Sequence, residues 1–204
     1  YVMGASATSV GDADVMIVAA RKDRVGDMQA LMSEAGMHLK VLDVASYAAQ
    51  SAAERIIENL PNAGKDAIIA LVHVGVSSIY VYVMRNGEVL FEREQAFGGV
   101  QLTQHIARLY GMTQEEAESK KIAGQLPDDY AHVVLQPFIE RVAQEIQNIL
   151  QFFYNSTPHG KTDYVLLSGG SASLPKLSDA VIQATGAACL LANPFDGMEI
   201  GSQV

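Results

Sequence analysis

The sequence predicts an α/β fold with a mixed sheet flanked by helices. Three observations carry that reading. Apolar runs of strand length alternate with amphipathic helical segments along the chain. An Asn86-Gly87 dipeptide sits between two β-rich runs, the strongest short-range hairpin signal. A glycine pair, Gly169-Gly170, follows a buried-strand pattern and precedes a helical one. The chain has 204 residues, 49% of them hydrophobic, enough for one large or two small domains with a sizeable core.

Asp14–Ala20 is a short apolar run with strand character. Arg21–Ala35 has helical periodicity, with Val25, Met28, Leu31, Met32 and Ala35 on one face and Gly36 at its C-terminus. Leu39–Val44 alternates apolar residues with Lys40 and Asp43, a strand pattern. Ser46–Leu60 is amphipathic, and Pro61-Asn62-Ala63-Gly64-Lys65 is the clearest linker.

Ile68–Val83 reads as two strands joined by Val74-Gly75-Val76-Ser77-Ser78, and Val89–Gln95 as a third. Gly98-Gly99 opens a helix over Val100–Tyr110. Thr113 and Glu116 have capping-box spacing and start a helix to Ile122. A polar loop, Gly124–Asp129, precedes a long helix over His132–Tyr154 with an apolar stripe of Phe138, Val142, Ile146, Ile149 and Phe153. Arg141 and Glu145 are spaced to pair one turn apart. Strand Tyr164–Leu167, helix Pro175–Thr185 and strand Ala187–Leu191 complete the pattern.

Composition removes several classes of function. The formal charge is −9 with no basic stripe, which argues against a nucleic-acid partner. Cys189 is the one cysteine, so no disulfide forms within the chain, and it reads as a small buried hydrophobe. No apolar run reaches the roughly 18 residues that span a bilayer. None of the five histidines pairs with another histidine or a cysteine at zinc-ligand spacing.

Two glycine bends are the candidate binding elements. A hairpin with Ser77 and Ser78 after Gly75 either wraps a phosphate with amides and hydroxyls or is an ordinary solvated turn. Ser168-Gly169-Gly170-Ser171 either lets a planar ligand lie on bare backbone or is a tight strand-to-helix connection. Lys120-Lys121 either neutralises a helix C-terminus or contacts a ribose or phosphate. His73, a polar residue in an apolar strand, is either a satisfied core histidine or a cleft-facing group.

The order of these elements resembles the second half of the actin-like ATPase superfamily, whose fold is ribonuclease H-like. Within it the chain is most similar to the PilM family of type IV pilus assembly. The resemblance rests on Ile17–Lys22, Val41–Val44, Arg93–Gly99, Gly124–Tyr130, Gln151–Tyr154, Leu166–Gly170 and Ala192–Phe195. It implies a partial chain lacking most of the first domain, with residues 1–61 a β-α-β-α remnant of the inserted subdomain and first domain, and 65–204 the second actin-like domain. It also implies that ATP and Mg²⁺ are held between two halves of the intact protein. Val74–Ser78 (with Gly75, Ser77 and Ser78) then matches the second phosphate loop. Gly169, Gly170 and Ser171 match the adenosine turn, with Glu116 and Lys120 on the ribose side. Where the family has Asp-Ile-Gly, this chain has His73-Val74-Gly75. A neutral imidazole is a poor ligand for Mg²⁺, so slow or absent hydrolysis is expected.

The same resemblance implies a cytoplasmic scaffold, peripheral to the bacterial inner membrane. Its implied partners are the N-terminal cytoplasmic tail of PilN and, through the PilN/PilO complex, the assembly motor or platform proteins. Self-association through an apolar face is a further expectation. The alternatives are a small-molecule kinase of the superfamily and an interaction module that no longer binds nucleotide.

Overall fold

The structure, a computed structural model, describes residues 2–5, 13–15, 17–195, 198 and 201. It divides into two compact units, Tyr1–Val44 and Ala45–Val204.

In the first unit, β1 (Val2–Ala5) pairs antiparallel with β2 (Ala13–Val15), and α1 spans Lys22–Glu34. Gly36 ends α1 at φ 71°, with its amide on the Ser33 carbonyl and the Met37 amide on the Met32 carbonyl. That is the paired hydrogen bonding of a Schellman stop, which needs a left-handed residue. Two strand expectations are corrected. Residues 17–20 are not strand, so the run expected over Asp14–Ala20 is strand only through Val15, with Met16 outside the described residues. Leu39–Val44 is also irregular. Alternation makes a strand only where a partner strand accepts its hydrogen bonds, and no described strand pairs here. The expected apolar face of α1 is not buried, and Met28 and Leu31 are 50% and 60% exposed.

The second unit is built on a five-stranded sheet in the order β5-β4-β3-β6-β7. Its strands are β3 (Ile69–Val74), β4 (Ile79–Arg85), β5 (Glu88–Gln95), β6 (Tyr164–Ser168) and β7 (Ala188–Leu191). β3, β4 and β5 form an antiparallel meander, whereas β6 and β7 run parallel to β3. Asn86 and Gly87 both have positive φ, 50° and 80°, as the expected tight hairpin requires.

β3 is apolar on both sides because helices cover both sides. Ile69 and Leu71 pack with Ala53, Ile56 and Ile57 of α2 (Ala45–Glu58). Ala70, Val72 and Val74 face the larger core under α3 (Gly99–Tyr110), α4 (Gln114–Ala123), α5 (Gln136–Ser156) and α6 (Leu177–Thr185). α2 thus belongs to the second unit, and the Pro61–Lys65 segment is a turn inside it. The α5 stripe Phe138, Val142, Ile146, Ile149 and Phe153 is buried throughout. Each such large side chain contributes about 1.5–3 kcal/mol of transfer free energy. Arg141 caps the buried Glu145 carboxylate at 2.5 Å.

Two helix starts differ from expectation. A π-helical turn, Ala131–Leu135, leads into α5, and the Gln136 amide reaches back to the Ala131 carbonyl. Pro137 has no N–H for the carbonyl one turn back, so the backbone widens there. α6 begins at Leu177, not at Pro175, because Lys176 takes φ 64° and breaks the helical path. Among the described residues, no helix is long and apolar enough to cross a membrane.

Candidate functional site

The two glycine bends meet in space. The parallel register of β3 and β6 puts His73 opposite Ser168, so the loops that follow leave the sheet side by side. A Cβ on Gly169 would lie 2.5 Å from the Val74 carbonyl oxygen, and Gly169 itself has φ 92°. The Ser171 amide donates to that same carbonyl at 3.3 Å.

The start of α3 locks onto the β3–β4 turn from the other side. Gly99 and Val100 amides donate to the Gly75 and Val76 carbonyls at 3.0 and 2.8 Å. A Cβ on Gly98 would sit 2.6 Å from both carbonyl oxygens, so only glycine permits this approach. The Gln101 side chain accepts from the Gly98 amide at 2.8 Å. The first two amides of α3 are therefore spent on the turn and are not an anion site. By contrast, the amides of Val76, Ser77 and Gly170 meet no acceptor among the described residues. Successive bare amides of this kind form a nest that suits an anion.

These segments bound a cleft of about 1040 Å³. One side carries His73, Gly75, Val76, Gly170, Ser171 and Leu174, and the other Thr103 of α3 with Glu115, Glu118, Ser119, Lys121 and Ile122 of α4. Val76 and Ile122 are 74% and 77% exposed, an apolar pair at the opening. Such a cleft, with apolar walls, a few fixed polar groups and bare backbone, fits a nucleoside-sized ligand.

Polar groups on the α4 wall hold one another in place. Lys121 Nζ lies 2.6 Å from Glu118 Oε2 and 3.0 Å from Thr103 Oγ1. The Lys121 ammonium, and then the Thr103 hydroxyl, hold the Glu118 carboxyl below its ordinary range. Opposite, His73 Nδ1 is 3.2 Å from Ser168 Oγ, and the ring is exposed rather than part of the core.

The structure brings His73, Gly75, Gly170 and Ser171 together on the cleft, with Gly169 behind them. Ser77 is exposed but does not line it. Ser78 is buried, and its hydroxyl donates to Glu94 at 2.7 Å, away from the cleft. Glu116 is occupied with the cap of α4, accepting from the Thr113 amide at 2.8 Å. Lys120 is not on the cleft wall either. Other residues of the same helix line the cleft. Glu115, Glu118, Ser119 and Ile122 share one stripe at helical spacing, and the buried Ala117 fixes which way it faces.

Among the described residues no group of three or more His, Cys, Asp or Glu side chains could hold a metal ion. The carboxylates lining the cleft are those of Glu115 and Glu118, both on α4. This chain thus supplies surfaces suited to a nucleoside and its phosphates, and offers His73 rather than an oxygen ligand beside the β3–β4 turn.

Comparison with solved structures places this architecture. A chain of the PilM-PilN type IV pilus biogenesis complex matches 90% of this chain at 22% identity and TM-score 0.72. MreB5 of Spiroplasma citri, bound to AMPPNP, matches 85% at 13% identity and TM-score 0.56. An archaeal actin homolog, Ta0583 in complex with ADP, matches 78% at 12% identity and TM-score 0.57. The chain spans 52%, 60% and 54% of those proteins, respectively.

The fold is that of the actin-like ATPases, and the cleft lies among its glycine-bearing loops. The match to the family described as type IV pilus assembly protein PilM runs over residues 1–204. The chain belongs to the PilM family.

Proposed function

We propose that this chain forms one wall of a nucleotide cleft in an actin-like scaffold of type IV pilus assembly. The observation that carries the reading is the junction of Gly75, Gly98 and Gly169, which builds a rigid, side-chain-free floor beside three unpaired amides. ATP is the proposed ligand. Its base lies along Gly170 and Ser171, its ribose faces Glu118 and Lys121, and its phosphates meet the Val76 amide. Mg²⁺, where it accompanies ATP, would neutralise phosphate charge, and His73 does not suit its water shell.

The scaffold role follows from family membership. PilM of the matched complex is assembled with PilN, and we propose the same partner here through the PilN N-terminal tail. The protein would then sit on the cytoplasmic side of the inner membrane and relay nucleotide state to the assembly motor. His73 favours binding over fast hydrolysis, because the residue beside the turn neither holds a metal shell nor carries a negative charge.

Calorimetry of the full-length protein with ATP and Mg²⁺ tests this directly. Saturable binding is expected, with phosphate release no faster in wild type than in His73→Ala. Absence of binding would reduce the cleft to a structural groove. Steady hydrolysis abolished by His73→Ala would overturn the scaffold reading in favour of an enzyme.

A further inference from the structure

α3 presents two faces, and the cleft and core use one of them. Leu102, Thr103, Ile106 and Ala107 are buried. The opposite stripe of Gln101, His105, Arg108 and Leu109 lines a separate groove of about 560 Å³ against Pro137, Phe138 and Arg141 of α5. That volume lies within the range of ligand-sized sites, about 300–1,000 Å³.

Groove chemistry is specific. Phe97 and Phe138 stack in its wall with ring centroids 5.5 Å apart. Leu109 is 46% exposed beside them. The charged groups at its rim, Arg108 and Arg141, are both basic, in a chain of formal charge −9. No acidic side chain lines it. Arg141 pairs with Glu145, whereas Arg108 has no ion-pair partner among the described residues. A cation in the last turn of α3 suits that helix end. Arg141 stands inside α5 and faces the same groove while it pairs with Glu145, so Arg108 is the groove's cation without an ion-pair partner among the described residues.

We propose that this groove docks a partner-protein segment in which acidic residues flank one aliphatic or aromatic side chain. The apolar side chain enters between Leu109 and the Phe97–Phe138 pair. An acidic neighbour meets the Arg108 guanidinium, which suits a carboxylate better than lysine would, with Arg141, already paired with Glu145, beside it. A second copy of this acidic chain is the less suitable occupant, since net charges of one sign repel.

The test is selection from a displayed library of random short peptides on the full-length protein. Arg108→Glu and Arg108→Gln serve as variants, because Arg108 is exposed and holds no buried carboxylate. Thermal melts and circular dichroism report that the variants fold. Selected peptides are expected to combine Asp or Glu with one large apolar residue. Their affinity should fall about 10-fold in Arg108→Gln, more in Arg108→Glu, and further with added salt. The proposal is overturned by peptides lacking acidic residues, by equal binding to Arg108→Glu, or by a selection that enriches nothing. Self-association lost in Arg108→Glu, with no peptide enriched, would instead assign the groove to a second copy.

Discussion

Gly169 and Gly170 are neighbours with opposite roles, and substituting each in turn separates fold from ligand binding. Gly169 has φ 92°, and a Cβ there would lie 2.5 Å from the Val74 oxygen and 3.1 Å from the His73 ring. Alanine at this position strains the backbone and pushes the β6–α6 loop off β3. Strain of this kind costs about 1–3 kcal/mol, and each kcal/mol lowers Tm by roughly 2–4 °C in a domain of this size. Gly169→Ala should therefore lower Tm by roughly 2–12 °C. A Cβ on Gly170 meets nothing within 4 Å, and its φ is not in the left-handed region. Gly170→Leu should leave Tm unchanged, within about 0.5 kcal/mol, while projecting a side chain into the proposed ligand volume. Overfilling a packed site costs about 1–3 kcal/mol, roughly a 5- to 150-fold loss of affinity. Thermal melts and titration with a fluorescent ATP analogue measure both variants. Wild-type affinity in Gly170→Leu would refute the placement of the base on this turn. Wild-type stability in Gly169→Ala would refute the close approach of the two loops.

Two further outcomes follow from titratable groups. The folded-state pKa of Glu118 is lowered from its ordinary value of 4.5 by Lys121 and Thr103, so its stabilising contribution is present above that value and fades as pH falls through the lowered one. The stability difference between wild type and Glu118→Gln in urea melts should therefore shrink from neutral pH toward about pH 3, and a difference independent of pH would contradict the pairing. Burial pushes the Cys189 thiol up to about 11, so iodoacetamide should label it slowly in the native protein and rapidly in guanidinium. Labelling at the rate of a free thiol in buffer would show that β7 and α6 do not cover it.

Local signals with one physical solution were legible from the residues. Asn86-Gly87 supplies two left-handed residues in sequence, and the hairpin formed where they stand. Thr113 and Glu116 satisfy each other's amides, and α4 starts there. The α5 stripe fixed the buried face of the longest helix. Signals that depend on a partner were not legible. Leu39–Val44 has the alternation of a strand and lacks a described strand to pair with. Thr103, Glu118 and Lys121 meet only because α3 and α4 pack, and their spacing of 15 and 18 residues carries no periodicity that announces it. One signal for α4 was available: Ala117, small and apolar amid charged neighbours, marks the buried face and so sets Glu118 and Lys121 at its edges.

The cleft has one side held by backbone and one held by side chains, and this asymmetry bears on how nucleotide state would be transmitted. On the glycine side, the α3 start and the β3–β4 turn are joined through main-chain hydrogen bonds at 2.8 and 3.0 Å, with no room for a Cβ at Gly98 or Gly169. That floor has no soft rotamer to move. α4 instead meets α3 through the Thr103–Glu118–Lys121 cluster and a single buried residue, Ala117. A ligand that competes for Lys121 or Glu118 would loosen that contact without disturbing the sheet. Displacement on binding should therefore concentrate in α4, whereas the glycine floor fixes where the ligand sits.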